Sequence, residues 1–192
     1  MKKNLLYAVA LAASLMGCSQ PQDKNTEIEN KVETLLHKMT LEEKLGQMNQ
    51  LSPWDFEDLA KRVRKGEVGS ILNVVNPEEV NKIQKIAVEE SRLGIPLIVS
   101  RDVIHGYKTI FPIPLGQAAT FNPEIIKEGA RVAAIEASAD GIRWTFAPMI
   151  DVARDPRWGR IAESCGEDPY LNAVMGTAMI KGYQGDSLND PT

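Results

Sequence analysis

With 192 residues, 43% of them hydrophobic and 25% charged, the chain has the size and composition of a single soluble globular domain. Its net charge of -4 is spread without long like-charge blocks, so there is no basic face and a nucleic-acid partner is not expected. Two histidines without clustered partners make no zinc site, and neither a metal nor a cofactor is expected.

The first residues read as an address rather than as fold. Lys2 and Lys3 precede an apolar stretch over residues 5–15, too short to span a bilayer, and small residues follow. This is the pattern of a secretory signal. The end of the stretch, Leu15-Met16-Gly17-Cys18, resembles a bacterial lipobox, in which cleavage before Cys18 leaves its thiol to carry a diacylglycerol. An ordinary signal with an incidental cysteine is the alternative. Each buried methylene of an acyl chain contributes about 0.8 kcal/mol, and two or more chains anchor stably. The expected organisation is a signal peptide over residues 1–17, a polar tether over 18–26 with Pro21 in it, and a folded part over 27–192. The mature protein would be exported and lipid-anchored, in the bacterial periplasm or outer membrane. Cys165 then remains alone, so no disulfide is expected. It suits a buried small residue better than a nucleophile, since neither His37 nor His105 sits in a context that recommends it as a base.

In chain order, Ile28, Val32, Leu35, Leu36 and Met39 stand at helical spacing over residues 27–39. Thr40-Leu-Glu-Glu43 then reads as a capping box opening a second helix through Met48. A third helix is predicted over 55–65, stopped by Gly66, and Gly69-Ser-Ile-Leu-Asn-Val-Val75 reads as a buried strand. Asn76-Pro77 is an N-cap followed by proline at the first helical position, opening a helix to about Arg92. Ile95-Pro-Leu-Ile-Val-Ser100 is apolar almost throughout, as in a strand covered on both faces, and runs into Arg101-Asp102. Residues 103–121 have no clear period and several prolines and glycines, and are expected to form an ordered loop. Asn122-Pro123 begins the longest helix, to about Asp140, with Gly141 as its stop, and a third strand is predicted over 143–150.

Residues 150–170 follow as a long loop dense in acids and arginines, before a helix-like run over 171–183. Loops at strand ends on a rigid frame are where α/β folds hold their binding groups. The alternation of strands and helices argues for right-handed β-α-β units. The fold class is therefore α/β. Three strands cannot close an eight-stranded barrel, and the chain is expected to end before closure.

The segments Ser100-Arg-Asp102-Val-Ile-His105-Gly, Ile110-Phe-Pro-Ile-Pro-Leu-Gly116, Trp144-Thr-Phe-Ala-Pro-Met-Ile-Asp151 and Arg154-Asp-Pro-Arg-Trp-Gly-Arg160 resemble glycoside hydrolase family 3, nearest its periplasmic β-glucosidase branch. The resemblance runs from about Val32 to Gly185. It implies that residues 27–192 are the amino-terminal portion of the family's barrel domain: an incomplete (β/α)8 TIM-barrel-like domain holding the first three strands and their helices. It also implies an enzyme that removes a terminal β-linked sugar, usually glucose, from a β-linked oligosaccharide or glucoside with retention of configuration. Such chemistry needs two carboxyl groups about 5 Å apart, a nucleophile and an acid/base. In the family the nucleophile is an aspartate in a later motif resembling Val-Ser-Asp-Trp. The acid/base is a glutamate of a following domain. A lysine-histidine pair that grips the sugar is also expected beyond these residues. No catalytic residue is therefore assigned here, and the 192-residue chain alone is predicted inactive, its partners being the missing carboxy-terminal domains.

The family positions that carry over are Asp102, accepting hydrogen bonds from the sugar hydroxyls, and Arg160, donating to them. Charge-assisted bonds of this kind are worth about 1.5–3 kcal/mol each. From spacing alone Asp102 could equally cap the turn after its strand. Arg160 could belong to an ion-pair network with Asp151, Asp155, Glu163 and Asp168, the role assigned here to Arg154 and Arg157. Glu163 is expected to orient Arg160. His105 is expected to be structural and Trp144 to pack in the core, whereas Trp158 is open between core and sugar contact. A non-catalytic, lipid-anchored sugar-binding module is the alternative reading.

Overall fold

The computed structural model describes residues 24–187. The expected lipidation residue Cys18 and the expected signal over 1–17 lie outside them. The chain divides into two compact units, Met1–Thr40 and Leu41–Thr192. In the first, helix α1 (Lys24–Lys38) starts at Lys24, ahead of the expected Glu27, so the last residues of the expected tether are helical. None of its residues is buried. Lys31 pairs with Glu27 one turn back on the exposed surface.

The second unit runs α2 (Leu41–Gln47), β1 (Gln50–Leu51), α3 (Phe56–Arg64), β2 (Ser70–Leu72), α4 (Pro77–Glu89), β3 (Ile98–Arg101), α5 (Pro114–Ala118), α6 (Pro123–Ala139), β4 (Trp144–Thr145), a 3-10 turn (Ile161–Glu163) and α7 (Pro169–Gln184). The strands form one parallel sheet in the order β1-β2-β3-β4. This is the progression of a (β/α)8 barrel, left open. Four strands stand where three were expected. The added one, β1, is two residues long and pairs Gln50 with Ser70 and Leu51 with Ile71. So short a strand carries no alternation to read, and it exists because β2 supplies its partner groups.

The helix starts follow their caps. Asp55, Asn76, Asn122 and Asp168 each accept a hydrogen bond from a first-turn amide, and the last three are followed by proline at the first helical position. The strands are shorter than their apolar runs. β2 ends where Asn73 takes a positive φ of 68°. β3 begins beyond Pro96, and the run after β4 meets Pro148; proline has no amide to give a ladder. The loop expected over 103–121 contains the short helix α5, with Pro114 in its first turn.

One face of the sheet is covered by helices. Ile71 and Val99 pack there with Leu59, Val63, Ile83 and Ile86 from α3 and α4. Each such aliphatic side chain contributes roughly 1.5–3 kcal/mol on burial. The strand register puts Ile98, Ser100 and Trp144 on the opposite face, where Ile98 is 51% and Trp144 43% exposed. The expectations of a fully covered β3 and a core Trp144 are thus corrected: helices cover only one side, and Trp144 rests against Phe146 with ring centroids 4.7 Å apart. A second core, with Ile126, Ala130, Cys165, Met175 and Met179, lies between α6 and α7. Tyr183 packs against both cores.

Candidate functional site

In a parallel sheet all strands deliver their chain to the same edge, so the loops after β3 and β4 leave from one end of the frame. Asp102 is the first residue after β3. Its carboxylate is exposed and makes no hydrogen bond or ion pair among the described residues, so the turn-capping alternative is not how it is used.

The backbone beside it is held from two sides. Val103, 2% exposed, donates its amide to the Thr145 hydroxyl at the end of β4 (3.3 Å), and its carbonyl accepts from the Tyr183 hydroxyl (2.5 Å). Thr145 also accepts from the amide of Ala147, so one hydroxyl joins the starts of both loops.

Further along, His105 exchanges two bonds with Phe111: the Phe111 amide donates to the His105 carbonyl (2.8 Å), and the His105 ring Nδ1 meets the Phe111 carbonyl (2.9 Å). A carbonyl only accepts, so Nδ1 carries the proton. His105 is a structural pin. Gly106 takes a φ of 111°, and a Cβ there would lie 1.9 Å from the Thr109 carbonyl, so only glycine closes this turn. The turn is clamped to α6. Glu136 accepts from the amides of Lys108 and Thr109 and from the Thr109 hydroxyl, while Asp140 accepts from the Tyr107 hydroxyl and Lys108 Nζ, each at 2.9 Å. Those bonds hold both carboxyls below the usual range, Lys108 acting most on Asp140 and Thr109 most on Glu136.

The second loop carries Arg160. Its Nε and Nη2 donate to the two oxygens of Glu163 at 3.1 and 2.8 Å, the bidentate geometry that fixes a guanidinium plane. These bonds raise Arg160 above the usual arginine value and lower Glu163. The carboxylate charges of Asp151 and then Asp102 raise Arg160 further. Asp102 is therefore close enough for its charge to act on Arg160, without a direct ion pair.

The wider ion-pair network does not form. Arg157 folds back on Asp155, and Asp168 caps α7 by accepting from the Tyr170 amide. Arg154 and Asp151 make no hydrogen bond or ion pair among the described residues. The loop is closed by Asn172, 2% exposed, whose side chain accepts from the Cys165 amide and donates to the carbonyls of Gly166 and Asp168. Cys165 is buried, and burial pushes its thiol up, away from the reactive thiolate. Thr145 and Tyr183 were not legible as site-builders, because each reaches Val103 across the fold, and Asn172 was missed although its bonds stay within the loop it closes. Among the described residues no cluster of three or more His, Cys, Asp or Glu could hold a metal, and no helix is long and apolar enough to cross a membrane.

The model of the glycosyl hydrolase family 3 N terminal domain matches residues 40–190. This chain belongs to glycosyl hydrolase family 3. A family 3 relative, the periplasmic beta-glucosidase of Salmonella typhimurium, is 44% identical over 162 residues, covering 83% of this chain and 21% of its own length. A beta-xylosidase of Formosa agariphila is 32% identical over 200 residues, with coverages of 96% and 23%. Among solved structures, the beta-glucosidase of Listeria innocua in complex with glucose superposes with a TM-score of 0.74 at 44% identity, over 82% of this chain and 24% of that one. The chain thus spans about a fifth to a quarter of the length of these family 3 proteins.

Proposed function

We propose that the whole protein is a retaining β-glucosidase-like glycoside hydrolase, and that these residues form the amino-terminal part of its barrel and one wall of its sugar pocket. In this reading Asp102 accepts from hydroxyls of the terminal sugar and Arg160 donates to them. The observation that carries it is the unpartnered Asp102 carboxylate at the end of β3, its charge reaching a guanidinium already oriented by Glu163. Glu163 occupies Nε and one Nη2 position, which leaves the remaining guanidinium donors for a ligand. The relatives include a beta-glucosidase solved with glucose and a mutant solved with laminaribiose, which supports a β-glucoside substrate.

Retention needs the paired carboxyl groups of a nucleophile and an acid/base. The family resemblance puts both outside these residues, so the part described here binds and orients. In the whole protein, Asp102→Asn is expected to lower kcat/KM on an aryl β-glucoside by about 10- to 100-fold, the loss of one to two charge-assisted bonds. An unchanged kcat/KM would remove Asp102 from the pocket. Hydrolysis by residues 1–192 alone would overturn the division of labour. Assaying aryl β-xylosides beside the glucosides decides the sugar, since relatives of both kinds match.

We further propose export and lipid anchoring at Cys18, supported by the Leu15–Cys18 motif and by the name of the Salmonella relative. Cys18→Ser is expected to move the protein from the membrane to the soluble fraction and to abolish labelling by a radioactive fatty acid. Retention of the label would overturn it.

A further inference from the structure

The Asp102 side chain makes no hydrogen bond among the described residues, so its direction is set by the backbone that carries it. Beyond Asp102 that backbone is held at Val103 by Thr145 and Tyr183. Ahead of Asp102 it is held by Asn73, the first residue after β2. The Asn73 amide donates to the carbonyl of Ser100 (3.1 Å), and its side-chain oxygen accepts from Arg101 Nη1 (3.0 Å). A guanidinium only donates, so the Asn73 carboxamide nitrogen faces the other way, where it donates to the hydroxyl of Ser52 just after β1 (3.4 Å). One side chain thus joins the ends of three neighbouring strands immediately before Asp102.

Asn73 sits at a φ of 68°, a left-handed conformation that costs free energy for a residue with a side chain and that asparagine tolerates better than most. Glycine adopts it freely but makes neither side-chain bond. The residue is exposed, so these bonds add little to the core; what they fix is the path of the chain into Asp102. We infer that Asn73 is a positioning residue for the pocket, acting on the sugar-binding carboxylate of Asp102 through Arg101 and the end of β3. This rests on the reading of Asp102 given above.

The test is a double-mutant cycle in the whole protein, read as kcat/KM on an aryl β-glucoside with the thermal midpoint measured alongside. Asn73→Gly keeps the left-handed backbone and its amide and removes both side-chain bonds. It is expected to lower kcat/KM about fivefold, because a carboxylate that wanders spends less time where the sugar hydroxyls need it. In an Asp102→Ala background the same substitution is expected to change kcat/KM by less than about 1.5-fold, since the group it positions is gone. Asn73→Asp accommodates the same φ and restores an acceptor for Arg101, so it is expected to recover kcat/KM to within about twofold of the unsubstituted protein. Arg101→Met removes the donor at the other end of the same bond, and its loss should depend on Asp102 in the same way; it decides the matter should the glycine variant not fold. Equal losses in both backgrounds, no loss in either, or an Asn73→Asp protein no better than Asn73→Gly would overturn the inference and leave the glycosidase reading intact. An Asp102→Ala protein as active as the unsubstituted one would remove Asp102 from the pocket and overturn the inference with it.

Discussion

The hydroxyl of Tyr183, near the end of α7, donates a 2.5 Å hydrogen bond to the carbonyl of Val103, the residue after Asp102 and 80 positions earlier in the chain. Burial pushes the Tyr183 phenol up to about 12, so it remains a donor at neutral pH. Through this bond the last helix of the described chain sets the path of the loop that presents Asp102. Tyr183→Phe keeps the ring in both cores and leaves a buried carbonyl without its donor. The expected loss is about 1–2 kcal/mol, read as a lower urea midpoint at unchanged slope. An unchanged midpoint would mean that water replaces the hydroxyl.

In the proposed pocket Glu163 would act on the sugar through Arg160. Its folded-state carboxyl is lowered from the ordinary 4.5, first by the hydrogen bonds from Arg160, so the pair is fully formed above that value and dissolves as pH falls through the lowered one. At neutral pH the guanidinium is held in plane. Glu163→Gln is expected to weaken glucose inhibition of the whole protein about tenfold, with the thermal midpoint little moved because Arg160 is exposed and Glu163 only half-buried. The measurement is Ki against pH for both forms. The wild type should lose affinity as pH falls below 4.5 and through the lowered Glu163 value, where the variant is already weak.

Asp140 and Glu136 supply the acid sensitivity of the β3 loop. Both carboxyls are lowered in the folded protein, from ordinary values of 3.8 and 4.5. A depressed carboxyl stabilises above its unfolded value and ceases to do so as pH falls through its folded one. Stability is therefore expected to decline from about pH 4.5 downward, and Asp140→Asn is expected to flatten that decline while lowering stability at pH 7. Denaturation midpoints between pH 3 and 7 check both.

Gly182 sets the approach of α6 and α7. A Cβ placed there would lie 2.4 Å from the Lys127 carbonyl and 2.7 Å from the Ala130 Cβ, so any side chain must push the helices apart. Gly182→Val is expected to cost about 1–3 kcal/mol or more by overpacking. In contrast, Gly116→Ala, whose nearest new neighbour is Pro112 Cβ at 3.5 Å, is expected to be neutral or slightly stabilising in a helical position. Parallel urea titrations distinguish the two.

The order of the longer helices and most of the strand positions were readable from the chain, α5 excepted. Asn76-Pro77 and Asn122-Pro123 announce helices because an Asx cap and a proline at the first position act within a single turn, and Asp168-Pro169 carries the same signal. Asp102 and Arg160 were singled out by the family resemblance; position after a strand by itself left Asp102 open between binding and capping its turn.

What only the tertiary structure decided is which groups meet. Gln50–Leu51 becomes a strand because Ser70–Leu72 lies alongside it, whereas the pairing of Glu163 with Arg160, three residues apart in one 3-10 turn, is local and was expected from the chain. Thr145 and Tyr183 join the site through such long-range pairing, 42 and 80 positions from Val103. Caps and periodicity are set by interactions a few residues long and so are written locally. Pairing depends on the distance between segments far apart in sequence, which the packing of the sheet against its helices alone determines.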